Sequence, residues 1–324
     1  MLPEPAQGQY SPQSPAGVLK ERVRSVFLQL PKALAGDTNA IHQMRVTGRR
    51  LRVALLLLAR KPRGRRVKRA LTALRDLTRI AGGSRDLDVS AELLAEHLVE
   101  AGTSRTELAT LRRHLRQARG RSRARMVEGL LDQEIARLRR DLRAILERGS
   151  DDIFTVAGRL GRLRDAKGEA LSREFLALQD RFDPEALHRL RIRVRRLRYT
   201  AELGHALRGL PLEAAALLKR LQESLGGIHD RYVLAAWLGR QAASADRRGQ
   251  STLADAARTA QAAELESSRA HHRSFLESDP TSMLREALMA MGQKDPAPGP
   301  AVPPAADAAP RRQRVAGGQR EPKG

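Results

Sequence analysis

His42, Arg45, Arg49 and Arg52 stand three or four residues apart in the stretch 42-HQMRVTGRRLR-52. On a helix that turns about 100° per residue they share an arc of about 80°. A row of guanidinium groups beside an imidazole can do two kinds of chemistry. The guanidinium forks make bidentate, charge-assisted hydrogen bonds to phosphate or carboxylate oxygens, and the imidazole can take up or release a proton near neutral pH. Ile41, Met44, Leu51, Leu55 and Leu58 gather on an adjoining face. That face belongs to a core, so the basic row borders the core and must meet water, a partner or a cleft.

The same pattern recurs in 188-HRLRIRVRRLR-198. Sliding the chain against itself by about 145 residues sets His42 on His188, Arg45 on Arg191, and Arg49-Arg50-Leu51-Arg52 on Arg195-Arg196-Leu197-Arg198. Further on, 81-AGGSRDLDV-89 falls on 225-LGGIHDRYV-233, and Arg75 falls on Lys219. Duplication of a helical bundle is the simplest account. The Gly-Gly pairs read as breaks, with Asp86 and Asp230 as N-caps of the helices that follow rather than as general bases. Gly48, where the second copy has Val194, disfavours the first basic helix by about 1 kcal/mol relative to Ala.

A charge run is ordinarily a solvated face with both signs mixed. Here the signs are not mixed. Between Asp37 and Asp76 there are twelve basic residues and no acidic one, and between Glu185 and Glu202 six arginines and no acid. Either a bound anion or carboxylates from other helices must offset this charge. Each histidine, ringed by arginines, should hold a proton poorly until an anion arrives. Contact with a ligand and a structural role at the helix start are both open to them.

The elements that must position these rows are helices. Apolar residues recur at three- and four-residue spacings and alternating β-branched runs are absent, which gives an all-α chain. Gly36-Asp37, 61-KPRG-64, Gly82-Gly83, Gly102, Gly149, Asp183-Pro184, 209-GLP-211, Gly226-Gly227 and Asp279-Pro280 punctuate it into about eight to ten helices. Asp183 followed by Pro184 predicts the start of the second basic helix. Residues 1–15 and 293–324, rich in Pro, Ala and Gly, read as disordered tails. The folded part is then 16–292, divided near residue 150 into two halves of about four helices each.

Of 324 residues, 60 are Lys or Arg against 37 Asp or Glu, for a formal charge of +23, and 52 of the 60 are arginine. Such a balance draws polyanions and repels itself. Genome composition can raise arginine throughout a chain, but it does not choose a helix face. The absence of cysteine removes disulfides and thiolate metal sites. No apolar run reaches the roughly 20 residues of a membrane span, and the proline-bearing N-terminus is unlike a secretion signal, so the expected setting is the cytoplasm with no membrane partner.

The two histidine motifs with their glycine pairs resemble the CHAD domain, the conserved histidine α-helical domain, over roughly residues 16–292. The resemblance implies a pair of pseudo-symmetric four-helix bundles with a basic surface between them, and binding of inorganic polyphosphate, often at polyphosphate granules. Carried over, the motif falls on His42, Arg45, Arg49, Arg50, Arg52, His188, Arg191, Arg195, Arg196 and Arg198, with Arg75, Arg85 and Lys219 as additions from neighbouring helices.

Many such chains carry a CYTH triphosphate-hydrolysing domain marked by Glu-x-Glu-x-Lys. Here the nearest string, 264-ELESS-268, lacks the lysine and sits in a helical pattern. A non-enzymatic polyphosphate binder without cofactor or metal is therefore the first expectation. Nucleic acid is the second candidate partner, and it is less favoured. Aromatic residues make up only 3% of the chain, and no helix-turn-helix, zinc-finger or basic-zipper pattern is present. A phosphohydrolase using His42 or His188 is third, since a phosphate loop and a metal-binding carboxylate cluster are both missing from the sequence.

Overall fold

The structure is a computed structural model that describes residues 13–97, 105–178 and 181–292. Ten helices occur among them, as α1 (Pro15–Leu34), α2 (Thr38–Leu58), α3 (Arg65–His97), α4 (Arg105–Leu131), α5 (Ile135–Glu147), α6 (Ile153–Leu178), α7 (Pro184–Arg208), α8 (Leu212–Asp246), α9 (Ser251–Glu277) and α10 (Pro280–Ala290). No strand forms among the described residues; Ala59 and Ser150 make one isolated antiparallel bridge. The tails expected at 1–15 and 293–324 and the break expected at Gly102 lie outside the described residues, apart from Gln13, Ser14 and Pro15. Ser14 caps α1, its hydroxyl accepting from Gly17 N at 3.1 Å, so helix begins at Pro15.

The two basic helices start where the sequence says they should. Asp37 Oδ1 accepts from Ala40 N at 2.6 Å. Asp183 Oδ1 accepts from Glu185 N and Ala186 N, both at 3.0 Å, and Pro184 fills the first helical position. Gly209 closes α7 at φ 68°, in the left-handed region that glycine enters without strain.

Two expectations are corrected. Gly82-Gly83 and Gly226-Gly227 break nothing, because α3 and α8 run straight through them for 33 and 35 residues. Asp86 and Asp230 therefore lie inside helices and cap none. The ten helices stand at the upper end of the eight to ten expected.

Neighbour relations recur along the chain: α2 packs on α3 as α7 does on α8, α3 on α4 as α8 on α9, and α3 on α5 as α8 on α10. Buried apolar residues form three clusters. The first joins α1, α2, the start of α3 and α5 to Val156 and Leu160 of α6 and Leu203 and Leu207 of α7. The second fills the space among α6, α7, α8 and α10, with Phe275 of α9. A third lies where Leu111 and Leu115 of α4 meet Leu234, Trp237 and Leu238 of α8. With roughly 1.5–3 kcal/mol for each fully buried large side chain, this third cluster ties α3 and α4 to α8 and α9. Ile41, Met44, Leu51, Leu55 and Leu58 of α2 are all buried, as their shared face requires.

Gly48 has a packing reason. A Cβ there would stand 3.0 Å from Thr78 Cγ2, so the glycine lets α2 and α3 approach closely.

Arg159 ties α6 to the end of α2. Its Nη1 donates to the carbonyls of Leu57 and Ala59 at 3.1 and 3.2 Å, and its Nη2 pairs with Asp151. Arg159→Ala leaves those acceptors without their donor and should cost about 2–4 kcal/mol, read as a lower midpoint in urea unfolding.

Candidate functional site: a cationic cleft between the basic helices

α2 and α7 pack against each other with α3 and α8 behind them. Arg45 is buried, at 8% exposure. Its Nη1 donates to the carbonyl of Gly82 at 3.2 Å, and its Nη2 stands 3.9 Å from Asp86. Arg191 sits equivalently, its Nη2 3.6 Å from Asp230 and its guanidinium over Gly226, where a Cβ would lie 3.7 Å from Nε. The glycine pairs thus mark the surfaces of α3 and α8 on which the two arginines rest, and the aspartates following them take part of the charge. The Nε donors of Arg45 and Arg191 are both buried and lack a protein acceptor. Two orphan donors at equivalent places are what an arriving oxyanion, or water in its stead, would satisfy.

The histidines stand among these arginines. His188 Nδ1 is 3.2 Å from Nδ1 of His229, with ring centroids 4.4 Å apart. One ring must donate and the other accept, so at most one of the two can carry a proton on that nitrogen while the contact lasts. Burial, then Arg191, His188 and Arg195, hold His229 down to about 3. His42 is lowered by burial and then by Arg85, Arg45 and Arg49. His188 is lowered by burial and then by Arg191 and Arg195, with Asp86 opposing. Arg45 falls to about 10, through burial first and then Arg49, with Asp86 opposing. Arg195 is lowered by burial first and Arg49 next. Burial pushes the Asp230 carboxyl up, against the pull of Arg191. This is a region of positive charge held close and partly dry, costly until an anion enters it.

From there Arg49 and Arg195 lead into a cavity of about 630 Å³ bounded by α2, α3, α6 and α7. Its cationic lining is Arg49, Arg52, Arg75, Arg79, Lys167, Arg195 and Arg196, and among the described residues no acidic one lines it. Leu56, Leu57, Leu71, Leu163 and Ile192 form the apolar part of its wall. Among the described residues no carboxylate forms an ion pair with Arg49, Arg52, Arg75, Arg195 or Arg196. Arg52 is lowered by burial and then by Arg196, Arg75 and Arg49, a list made only of other cations.

The thirteen residues expected from sequence therefore divide. Arg45 and Arg191 lie against the two aspartates with His42 and His188 beside these arginines, Arg85 pairs with Glu92 at 3.4 Å, and Arg49, Arg52, Arg75, Arg195 and Arg196 line the cavity. Arg50 and Arg198 instead turn to Glu202, at 2.8 and 3.5 Å. Lys219 pairs with Glu223 at 3.4 Å on the exposed side of α8 and does not share the place of Arg75. Sequence reasoning missed His229, Arg79, Lys167 and Tyr199. His229 carried a signal, since it falls on Arg85 in the register of the repeat. Lys167 carried none, because only the packing of α6 brings it to the cleft. Among the described residues no three or more His, Asp or Glu side chains are grouped to hold a metal ion.

The sequence pattern of the CHAD domain matches residues 17–239. The chain belongs to the CHAD-domain family. Two uncharacterized proteins of Mycobacterium tuberculosis are each 30% identical to it over 270 residues, MT2285 of strain CDC 1551 / Oshkosh and Rv2226 of strain H37Rv. The aligned region takes in 74% of this chain and 48% of each relative, so the chain spans about half the length of those proteins. Among solved structures, the CHAD domain of the plant Ricinus communis superposes with a TM-score of 0.63 at 22% identity, covering 89% of this chain and 97% of that one. PptA from Streptomyces chartreusis gives a TM-score of 0.63 at 18% identity, covering 82% and 97%. At these identities the likeness speaks for the fold, which is all-α in this CHAD protein as expected. No described helix is long and apolar enough to cross a membrane.

Proposed function

We propose that this CHAD protein binds inorganic polyphosphate, without turning it over, along the cleft between α2 and α7. The observation that carries this reading is the set of five arginines, 49, 52, 75, 195 and 196, that face one cavity with no carboxylate partner. Polyphosphate offers each guanidinium successive oxygen pairs on a uniform backbone, which suits several separate forks better than a single small anion would. The ligand has no bases to stack, and among the described residues Tyr199 is the one aromatic ring in the cavity lining. Residence at polyphosphate granules inside the cell follows from such a binding preference.

Nucleic acid offers phosphates too, but on a duplex about 20 Å wide they lie outside the reach of a cavity bounded on four sides by helices. Competition separates the two. Labelled polyphosphate of defined length should be displaced by unlabelled polyphosphate, with duplex DNA or RNA at equal phosphate concentration at least about tenfold weaker. Equal displacement by DNA would overturn the reading, as would release of inorganic phosphate abolished by His42→Ala or His188→Ala. Binding should also weaken steeply between 50 and about 500 mM salt, as counterion release requires.

A further inference from the structure

The register that sets His42 on His188 also sets Arg50 on Arg196, Arg52 on Arg198 and Leu56 on Glu202. Arg52, Leu56 and Arg196 line the open cavity. Their counterparts meet on the side of α7 that faces α1, and there the arrangement is closed. Glu202 Oε2 accepts from Arg50 Nε at 2.8 Å, its Oε1 accepts from Arg50 Nη2 at 3.0 Å, and Arg198 Nε stands 3.5 Å from the same Oε1. Arg50 and Arg198 both lie over the ring of Tyr199, 5.6 and 5.0 Å from its centroid. Arg22 of α1 completes the group; its pKa is lowered by burial and then by Arg50, with Glu202 opposing.

Two guanidinium groups thus pair with one carboxylate, and the fork of Arg50 is spent on two oxygens about as far apart as two oxygens of a phosphate group. At the equivalent place in the open cavity the side chain is a leucine, 46% exposed, and among the described residues no carboxylate pairs with Arg52 or Arg196.

We propose that Glu202 is a resident anion: it occupies, between α1 and α7, the place that a phosphate group takes in the open cavity, and so leaves the protein one anion pocket where the repeated motif would make two. The proposal rests on the polyphosphate reading of that cavity. A polyphosphate chain then engages one flank of the α2–α7 pair, and the opposite flank is held shut by an intramolecular ion pair that no ligand of modest affinity displaces.

The test counts sites with inorganic tripolyphosphate, too short to bridge two pockets, by calorimetric titration of the full chain. Wild type should bind one, Glu202→Leu two, and Glu202→Leu with Arg50→Ala one again. Wild type at one and Glu202→Leu also at one, with an intact thermal transition, overturns the resident-anion assignment and spares the polyphosphate reading. Wild type at none with Glu202→Leu at one does the reverse. None in either overturns both. Should Glu202→Leu fail to fold, Leu56→Glu decides, since the site is exposed and a glutamate there can pair with Arg52 one turn away and with Arg196. It should weaken tripolyphosphate binding at least tenfold while Leu56→Gln leaves it within about twofold; equal affinity in the two variants overturns the assignment.

Discussion

On the proposed reading, Arg49→Glu combined with Arg195→Glu should abolish polyphosphate binding, with a loss of at least about a hundredfold. Both side chains line the cavity, and neither has a carboxylate partner among the described residues. Each lies close enough to the cationic cluster that Arg191 lowers the pKa of both, after burial and other causes. A hydrogen bond to a charged group contributes roughly 1.5–3 kcal/mol, so removal of two predicts a loss of about 3–6 kcal/mol, or about 10²- to 10⁴-fold in affinity, before the repulsion of two new negative charges is added.

The same change should leave the fold intact or firmer, because it separates like charges that burial has forced together. A melting temperature unchanged or raised, together with lost binding, is the expected signature. Arg45 and Arg191 are less informative positions: each is paired with an aspartate of the same chain, so their reversal mixes unfolding with lost affinity. Arg311→Glu with Arg312→Glu, in the C-terminal Pro/Ala/Gly-rich stretch, should change affinity by less than about threefold. If that pair costs more than Arg49→Glu with Arg195→Glu, the ligand is held by the tail and not by the cleft.

What could be read from the residues in advance was set by local physics. The apolar face of α2, the aspartate caps at 37 and 183 and the stop at Gly209 all follow from contacts within a turn or two, and all stand where the sequence put them. The Gly-Gly pairs misled because a glycine lowers helix propensity by only about 1 kcal/mol, which the tertiary packing of 33- and 35-residue helices overrides.

Arg50 and Arg198 show the other limit. Each belongs to the repeated motif as firmly as its neighbours, yet one position along the helix turns Arg50 toward α7 and Glu202, 152 residues away. Glu202 could be seen one turn after Arg198, but nothing local says that it also takes Arg50. Lys167 and Arg79 enter the cavity by packing alone. His229 was legible in the repeat: a histidine in register with Arg85, beside an aspartate in register with Asp86, places a second imidazole near His188.

On the proposed reading, that second imidazole should make the affinity for polyphosphate depend on pH. In the free protein His229 is held down to about 3, and His42 and His188 also lie below their ordinary value of 6.5, with burial as the first cause and nearby arginines next. A bound polyanion reverses the electrostatic part of that shift by neutralising the arginines. The bound form then holds more protons than the free form, and by linkage affinity rises as pH falls, by at most about tenfold per unit for each proton taken up. The 3.2 Å contact allows the His188–His229 pair one shared proton, so that pair contributes at most that much. Stability of the free protein moves the other way. The unfolded chain binds a proton at His229 below about 6.5 and the folded chain does not until about 3, so stability present above pH 6.5 is lost on acidification, at roughly 1.4 kcal/mol per unit through that window. Polyphosphate should therefore raise the melting temperature more at pH 5.5 than at pH 7.5. His229→Asn keeps a polar group near His188 but cannot take the proton, and it should flatten both profiles. An affinity that falls between pH 7.5 and 5.5, or profiles unchanged by His229→Asn, would mean that the imidazoles beside the arginines do not sense the ligand.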